Sequence, residues 1–331
     1  MLPIAYDTVV KRIYGKKGLG VPRETIFMAR LLYGPRAMPN QTFPMVALAA
    51  AVLGLSACSA GNKTPSSPSP VPEPNSTIYY TAIGASDAQA IGSSVECPIP
   101  FVDCPNGMGY VQVAARQLKA NGFIVNLANL GIATATLGKD FQDLGNQNGH
   151  LVVTNFIESE APVVNSNTTL ITIFAGGNDV NAVISALGRG AGASDQIGYI
   201  NTEVKAFGAD YATLLNLLRA RAPKARIVVL NLPNMGTMPF LAGTSAQQRQ
   251  AAQLLSVGMT TTVINPLTAQ GVLVIDMMCD ARAYQASTYS SDGFHPSDVG
   301  YAWMAAEVVS AATTNYKSPQ NSCAQMSLIP Q

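Results

Sequence analysis

The sequence predicts a three-layer α/β/α domain over residues 78–331, built on a five-stranded parallel sheet. Three observations carry this. Short apolar runs alternate with amphipathic stretches about five times along the chain. The runs are nearly continuous in apolar residues, as in strands covered on both faces. The amphipathic stretches between them are placed as the crossover helices that parallel neighbours require. No second domain and no internal repeat is read.

The first strand falls at Ile78–Gly84, IYYTAIG. A helix follows within Gly107–Asn121, where Tyr110, Val113, Ala114 and Leu118 keep helical spacing and Gly122 stops it. The second strand is Phe123–Leu130. A short helix is expected over Leu151–Glu160, ended by Pro162. Thr168–Ala175, β-branched and apolar, is the third strand. A long helix spans Tyr199–Ala222, with Val204, Phe207, Tyr211, Leu214, Leu215 and Leu218 on one face. Arg226–Leu230 is the fourth strand. Ala246–Gln270 is helical, with Pro266 breaking its end. Gly271–Met277 is the fifth strand, and Pro296–Thr314 is the closing helix.

Hydrophobic residues make up 48 % of the 331 and charged residues 12 %, too apolar for a disordered chain. The net charge of +1 hides an asymmetry. Residues 1–57 carry seven Lys/Arg against Asp7 and Glu24; the remainder holds 13 Lys/Arg and 17 Asp/Glu. The main body is mildly acidic, which excludes the basic surface a nucleic-acid binder needs. His150 and His295 are the only two histidines, which argues against a multi-histidine metal site. His150 lies in a polar Gly/Asn stretch and reads as surface.

Residues 1–57 read as an N-terminal extension and export signal. Met45–Leu55 is an unbroken apolar run of 11 residues, short for a membrane span of about 20 but suited to the core of a secretory signal. Met28 is the preferred start, because it keeps Arg30 and Arg36 upstream of that run. Leu55-Ser56-Ala57-Cys58 resembles the lipobox of bacterial lipoproteins. The resemblance implies cleavage before Cys58, diacylglycerol attachment at its sulfur and, with Ser59 next, outer-membrane sorting. Residues 58–77 are a Ser/Pro-rich tether, with a reach of at most roughly 60 Å. The expected location is the periplasm or cell surface, on a membrane anchor. Among the other cysteines, three pairings exist. The expected pair is Cys97–Cys104 around Pro98 and Pro100, with Cys279–Cys323 pinning the tail; free buried thiols are the alternative.

In an open parallel sheet, ligands bind beyond the carboxyl ends of the strands. The turns that follow the strands hold Gly84-Ala85-Ser86-Asp87, Asn129-Leu130-Gly131, Gly176-Gly177-Asn178-Asp179 and Asp292-Gly293-Phe294-His295. A hydroxyl nucleophile needs a base, and the base an orienting group. Ser86, His295 and Asp292 supply these three parts. Ser86 N–H, Gly131 N–H and the Asn178 amide are candidate donors to an oxyanion. Asp87 and Asp179 read as caps or turn residues. Met235, Met238 and Phe240 are either core or the wall of an acyl pocket.

These four blocks, in this order, resemble the SGNH (GDSL-type) hydrolase superfamily. Its invariant serine, glycine, asparagine and histidine correspond to Ser86, Gly131, Asn178 and His295. The resemblance covers nearly all of residues 78–318 and implies a flavodoxin-like fold. It also implies a serine esterase or lipase acting on acyl esters without a metal or cofactor. Ala85 stands where the family usually has an Asp. Two alternatives stay open: an O-acetylesterase acting on carbohydrate or peptidoglycan, and a lipoprotein of this fold that only binds a ligand.

Overall fold

The computed structural model describes residues 67–99 and 102–327. The signal segment and Cys58 lie outside the described residues. The strands are β1 (Thr77–Gly84), β2 (Ile124–Asn129), β3 (Leu170–Phe174), β4 (Arg226–Leu230) and β5 (Leu273–Ile275). They form one parallel sheet in the order β2-β1-β3-β4-β5. The main helices are α1 (Tyr110–Ala120), α2 (Lys139–Gln147), α3 (Gly177–Gly188), α4 (Gln196–Arg221), α5 (Ala246–Gly258) and α6 (Asp298–Thr313). No described helix is long and apolar enough to cross a membrane.

The strand sequences alternate between two cores. Ile83, Ile171, Ile173, Ile227, Val229 and Val274 face the layer that contains α3, α4 and α5. Tyr80, Ala82, Leu170, Val228, Leu230 and Ile275 face α1 and α6. Both faces are therefore buried, which is why the strands read as unbroken apolar runs. Each such fully buried aliphatic side chain stabilises by about 1.5–3 kcal/mol relative to exposure. Arg226 is buried at the start of β4 and donates from Nε to Ala311 O (2.9 Å) and from Nη2 to Thr314 O (2.6 Å). It thereby satisfies carbonyls at the end of α6. Its Nη1 also donates to Ser69 O, and Ser69 Oγ donates to Ala225 O at 3.0 Å. The Ser/Pro-rich segment is thus fastened to the domain at Ser69.

Some elements differ from the sequence expectation. Helices α2 and α3 are additions. Helix α2 (KDFQDLGNQ) is polar and buries only Phe141 and Gly145, so it lacks an apolar stripe. Helix α3 starts inside the Gly-Gly-Asn-Asp turn itself. The helix expected over Leu151–Glu160 shrinks to one π-helical turn, Phe156–Glu160, followed by a 3₁₀ turn at Ala161–Val163. Before it, the chain is extended enough for Asn155 to bridge Thr136, and Leu151 and Val153 stay exposed. The stretch after Ala246 stays helical to Gln270, but α-helical bonding gives way at Met259, well before Pro266. Strand β5 is only three residues long.

Both expected disulfides are present, Cys97–Cys104 with Cα atoms 5.9 Å apart and Cys279–Cys323 with Cα atoms 5.7 Å apart.

Candidate active site

Gly84, Phe174, Leu230 and Ile275 pair in one row across the sheet. That row is the carboxyl edge, and the functional turns leave from it. Ser86 follows β1 in a tight turn, where its carbonyl accepts from Gln89 and Ile91 N–H. Its side chain caps nothing. Instead Ser86 Oγ lies 2.9 Å from His295 Nε2. His295 Nδ1 lies 2.6 Å from Asp292 Oδ2.

The Asp292-Gly293-Phe294-His295 turn is organised by its own carboxylate. Asp292 Oδ1 accepts from Phe294 N–H (2.8 Å), His295 N–H (2.9 Å) and Ser290 Oγ (2.8 Å). Partial burial works to raise the Asp292 pKa, but the hydrogen bonds from His295, the two backbone N–H groups and Ser290 outweigh it and hold it at about 2. Asp292 is therefore an anion facing the imidazole throughout the neutral range, and it fixes which nitrogen carries the proton. Phe294 stacks edge-on against His295 (4.9 Å between centroids) and against Phe240 (4.9 Å).

Opposite the histidine lie the candidate oxyanion donors. Asn178 opens α3, and its Nδ2 donates to Ala135 O at 3.0 Å, which spends one of two amide hydrogens. Gly131 sits where a Cβ would meet Ala88 Cβ at 2.4 Å, so only glycine lets the two turns approach. Its N–H, however, donates to Asn129 Oδ1 at 3.2 Å. Asn129 in turn donates to Ala88 O at 2.6 Å. Gly131 N–H therefore points to its own strand end and is not free.

Three other readings gain detail. Asp87 lies in the turn that holds Ser86, as read; burial raises its pKa, opposed by attraction to His295, and it lines the cavity beside Ser86. Asp179 lies in the first turn of α3 as read, but its carboxyl is buried, accepts from Leu137 N–H at 2.9 Å, and has its pKa pushed up to about 7 by desolvation. His150 is half-buried rather than on the surface; among the described residues its Nε2 has no hydrogen-bond partner, burial lowers its pKa, and it takes no part in this site.

A cavity of about 50 Å³ adjoins Ser86 and Asn178, walled by Phe156, Leu232, Met235, Met238 and Phe294 among others. Met235 and Met238 are thus both core and pocket wall, while Phe240 stands behind Phe294. Gly92 was not singled out from the sequence. It has φ +90°, and a Cβ there would meet His295 Cβ at 2.7 Å. Only its place six residues past Ser86 hinted at it. Among the described residues, no cluster of His, Cys, Asp or Glu could hold a metal ion.

Among solved structures, the extracellular lipase from Streptomyces rimosus is 18 % identical, with a TM-score of 0.50 over 71 % of this chain and 100 % of that one. Phospholipase A1 from Streptomyces albidoflavus NA297 is 20 % identical, with a TM-score of 0.45 over 70 % of this chain and 98 % of that one. A family two carbohydrate esterase from Clostridium thermocellum is 18 % identical, with a TM-score of 0.43 over 70 % of this chain and 62 % of that one. No curated protein matches the chain. The likeness to the first of these structures supports the fold. The sequence profile of the GDSL-like Lipase/Acylhydrolase family matches residues 82–303, from within β1 to within α6. That span takes in all four functional turns and well over half the chain, and the chain belongs to this family.

Proposed function

We propose that the chain is an exported serine esterase that hydrolyses carboxylic esters through Ser86, His295 and Asp292. The observation that carries this reading is the unbroken relay from Ser86 Oγ to His295 Nε2 (2.9 Å) and from His295 Nδ1 to Asp292 (2.6 Å). His295 takes the Ser86 proton as Oγ attacks the acyl carbon, and the C–O bond to the leaving alcohol breaks as His295 returns that proton to it. Water then repeats the sequence on the acyl-serine, releasing the acid. Asp292 keeps the proton on Nδ1 beforehand and stabilises the imidazolium once it forms. Ser86 N–H and the second Asn178 amide hydrogen meet the developing oxyanion. Gly131 N–H joins them only by exchanging Asn129 Oδ1 for the substrate oxygen. No step calls for a metal or an organic cofactor.

The cavity lining bears on the acyl group. Its wall is mainly apolar and opens to solvent, which suits an acyl chain on the Ser86 side. A second reading within this mechanism is O-acetyl ester hydrolysis on a saccharide or peptidoglycan, which a rate confined to the acetyl ester would favour. Export and anchoring at Cys58 complete the proposal. Two disulfides are in keeping with an oxidising compartment.

The test assays p-nitrophenyl esters from acetyl to palmitoyl with wild type, Ser86→Ala and His295→Ala. Ester hydrolysis that vanishes in both variants supports the proposal. Near-wild-type hydrolysis by Ser86→Ala ends it. A folded wild type that neither hydrolyses any ester nor labels with a fluorophosphonate points to a binding lipoprotein.

A further inference from the structure

Glu160 ends the π-helical turn that also places Phe156 in the pocket wall, and it is fully buried. The β1–β2 ladder stops at the pair Ala82–Asn129. Beyond it, Leu130 N–H still donates to Ala82 O (2.9 Å) and Ile132 N–H to Gly84 O (3.1 Å). Gly84 N–H instead turns to Glu160 Oε2 at 3.0 Å. Gly84 is thereby held on both sides, its N–H by Glu160 and its carbonyl by the N–H of Ile132, the residue after Gly131. One side chain therefore anchors the peptide that lies two residues before Ser86 and that also binds the residue immediately after Gly131.

We propose that Glu160 is a positioning residue for the esterase reaction, its carboxyl fixing Gly84 and, through the Gly84 carbonyl, the approach of the turn that presents Ser86 to the turn that presents Gly131. This rests on the serine mechanism above. A carboxyl suits the place because it offers an acceptor at the end of a side chain long enough to reach from outside the sheet into the gap where β2 departs. The neighbouring chain has no such group of its own: Ala85 and Ile132 are apolar, and Asn129 is engaged with Gly131 N–H and Ala88 O. Among the described residues Glu160 Oε1 is enclosed without a hydrogen-bond partner, and desolvation raises the pKa of the carboxyl well above the ordinary range. Burial thus favours the protonated form, whose carbonyl oxygen still accepts from Gly84 N–H. Displacements of about 1 Å at a reacting group are enough to lose about 10²-fold in rate.

The experiment compares Glu160→Met, Glu160→Asp and Glu160→Gln by kcat and KM on p-nitrophenyl acetate, by the rate of fluorophosphonate labelling at Ser86, and by thermal unfolding. Met keeps the volume without the acceptor, Asp keeps the carboxyl but falls short, and Gln keeps a carbonyl at full reach. The expected result is a 10- to 100-fold fall in kcat for Met and Asp, with KM within twofold and labelling slowed in parallel, and recovery of most of kcat in Gln. A folded Met or Asp variant with kcat within threefold of wild type overturns the proposal while leaving the serine mechanism standing. So does a Gln variant as slow as Met. If Met does not fold, Asp and Gln decide in the same way. A wild type that does not label at Ser86 overturns the serine mechanism and this proposal together.

Discussion

Gly92 lies directly against His295: a methyl group added at Gly92 would stand 2.7 Å from His295 Cβ and 3.0 Å from Pro296 O. The turn after the nucleophile is therefore the floor on which the histidine rests. The contact is available only because Gly92 adopts φ +90°, a conformation costing other residues about 1–2 kcal/mol. Gly92→Ala is expected to push His295 away from Ser86 and lower kcat at least 10-fold. A loss of a few degrees in melting temperature should accompany it. Ester hydrolysis beside thermal unfolding checks this; a variant with the wild-type rate would show that His295 does not depend on that floor.

Asp292→Asn removes the anion while preserving shape. The amide that replaces one oxygen cannot accept from His295 Nδ1, so the imidazole loses its preferred tautomer. The corresponding substitution in a Ser-His-Asp triad costs about 10⁴ in kcat, and a loss of about 10²–10⁴ is expected here. The bonds into the Asp292 carboxylate also make a pH statement. Its folded pKa of about 2 lies below the ordinary carboxylate value of 3.8. The resulting stability is present above about pH 4 and is lost as pH falls towards 2. Activity should therefore not decline through Asp292 protonation anywhere above pH 4. A rate profile whose acid limb shifts unchanged into Asp292→Asn would agree; an acid limb abolished by that substitution would not.

Asp179 and Asp210 give a slope of the opposite sign. Burial raises both, Asp179 to about 7 and Asp210 to about 6, and in Asp179 the charge of Asp210 adds to it. An acid with a raised folded pKa binds its proton more tightly in the native state. Stability is therefore greatest below the unfolded value and falls as pH rises from about 4 to 7. Asp179→Asn keeps an acceptor for Leu137 N–H and removes one of the two charges. It should raise the melting temperature more at pH 8 than at pH 5. Equal shifts at both pH values would show that Asp179 is already ionised at no cost in the native protein.

The strands and their faces were legible because period-two alternation between two buried cores leaves a run such as Ile227–Leu230 apolar throughout, and the expected strand Arg226–Leu230 matches β4 residue for residue. Helix α2 was not, because a helix that buries only Phe141 and Gly145 has no stripe to read. Of the site, the chemistry-bearing residue types stand at strand ends, and local order along the chain exposes them. Partnerships across the fold are another matter. That Asn129 competes for Gly131 N–H, that Glu160 fills the gap beside Gly84, and that Gly92 underlies His295 all depend on how separate turns meet. Nothing in FIESE marks Glu160 over Glu158 as the buried acid.

The two disulfides should contribute unequally. Cross-linking stabilises mainly by restricting the unfolded chain, and the effect grows with the logarithm of the loop closed. Cys279–Cys323 spans a separation of 44 residues and Cys97–Cys104 one of 7. On that scaling the first contributes about 4 kcal/mol and the second about 2.5 kcal/mol. Placement reverses the order for activity. Cys97 N–H donates to Gln89 O (2.8 Å), and Gln89 Oε1 receives Ala133 N–H (3.1 Å), so the small loop braces the segment after Ser86 against the Gly131 turn. The large loop pins the tail, where Asn234 Nδ2 reaches Gln325 O at 2.8 Å, behind the methionine wall. Replacing Cys279 and Cys323 together by Ala is expected to cost more in denaturant midpoint. Replacing Cys97 and Cys104 together by Ala is expected to cost more in kcat at a temperature where both variants remain folded. Chemical denaturation and steady-state rates on the two double variants separate the effects, and a kcat loss that simply follows the stability loss would refute the bracing role of the small loop.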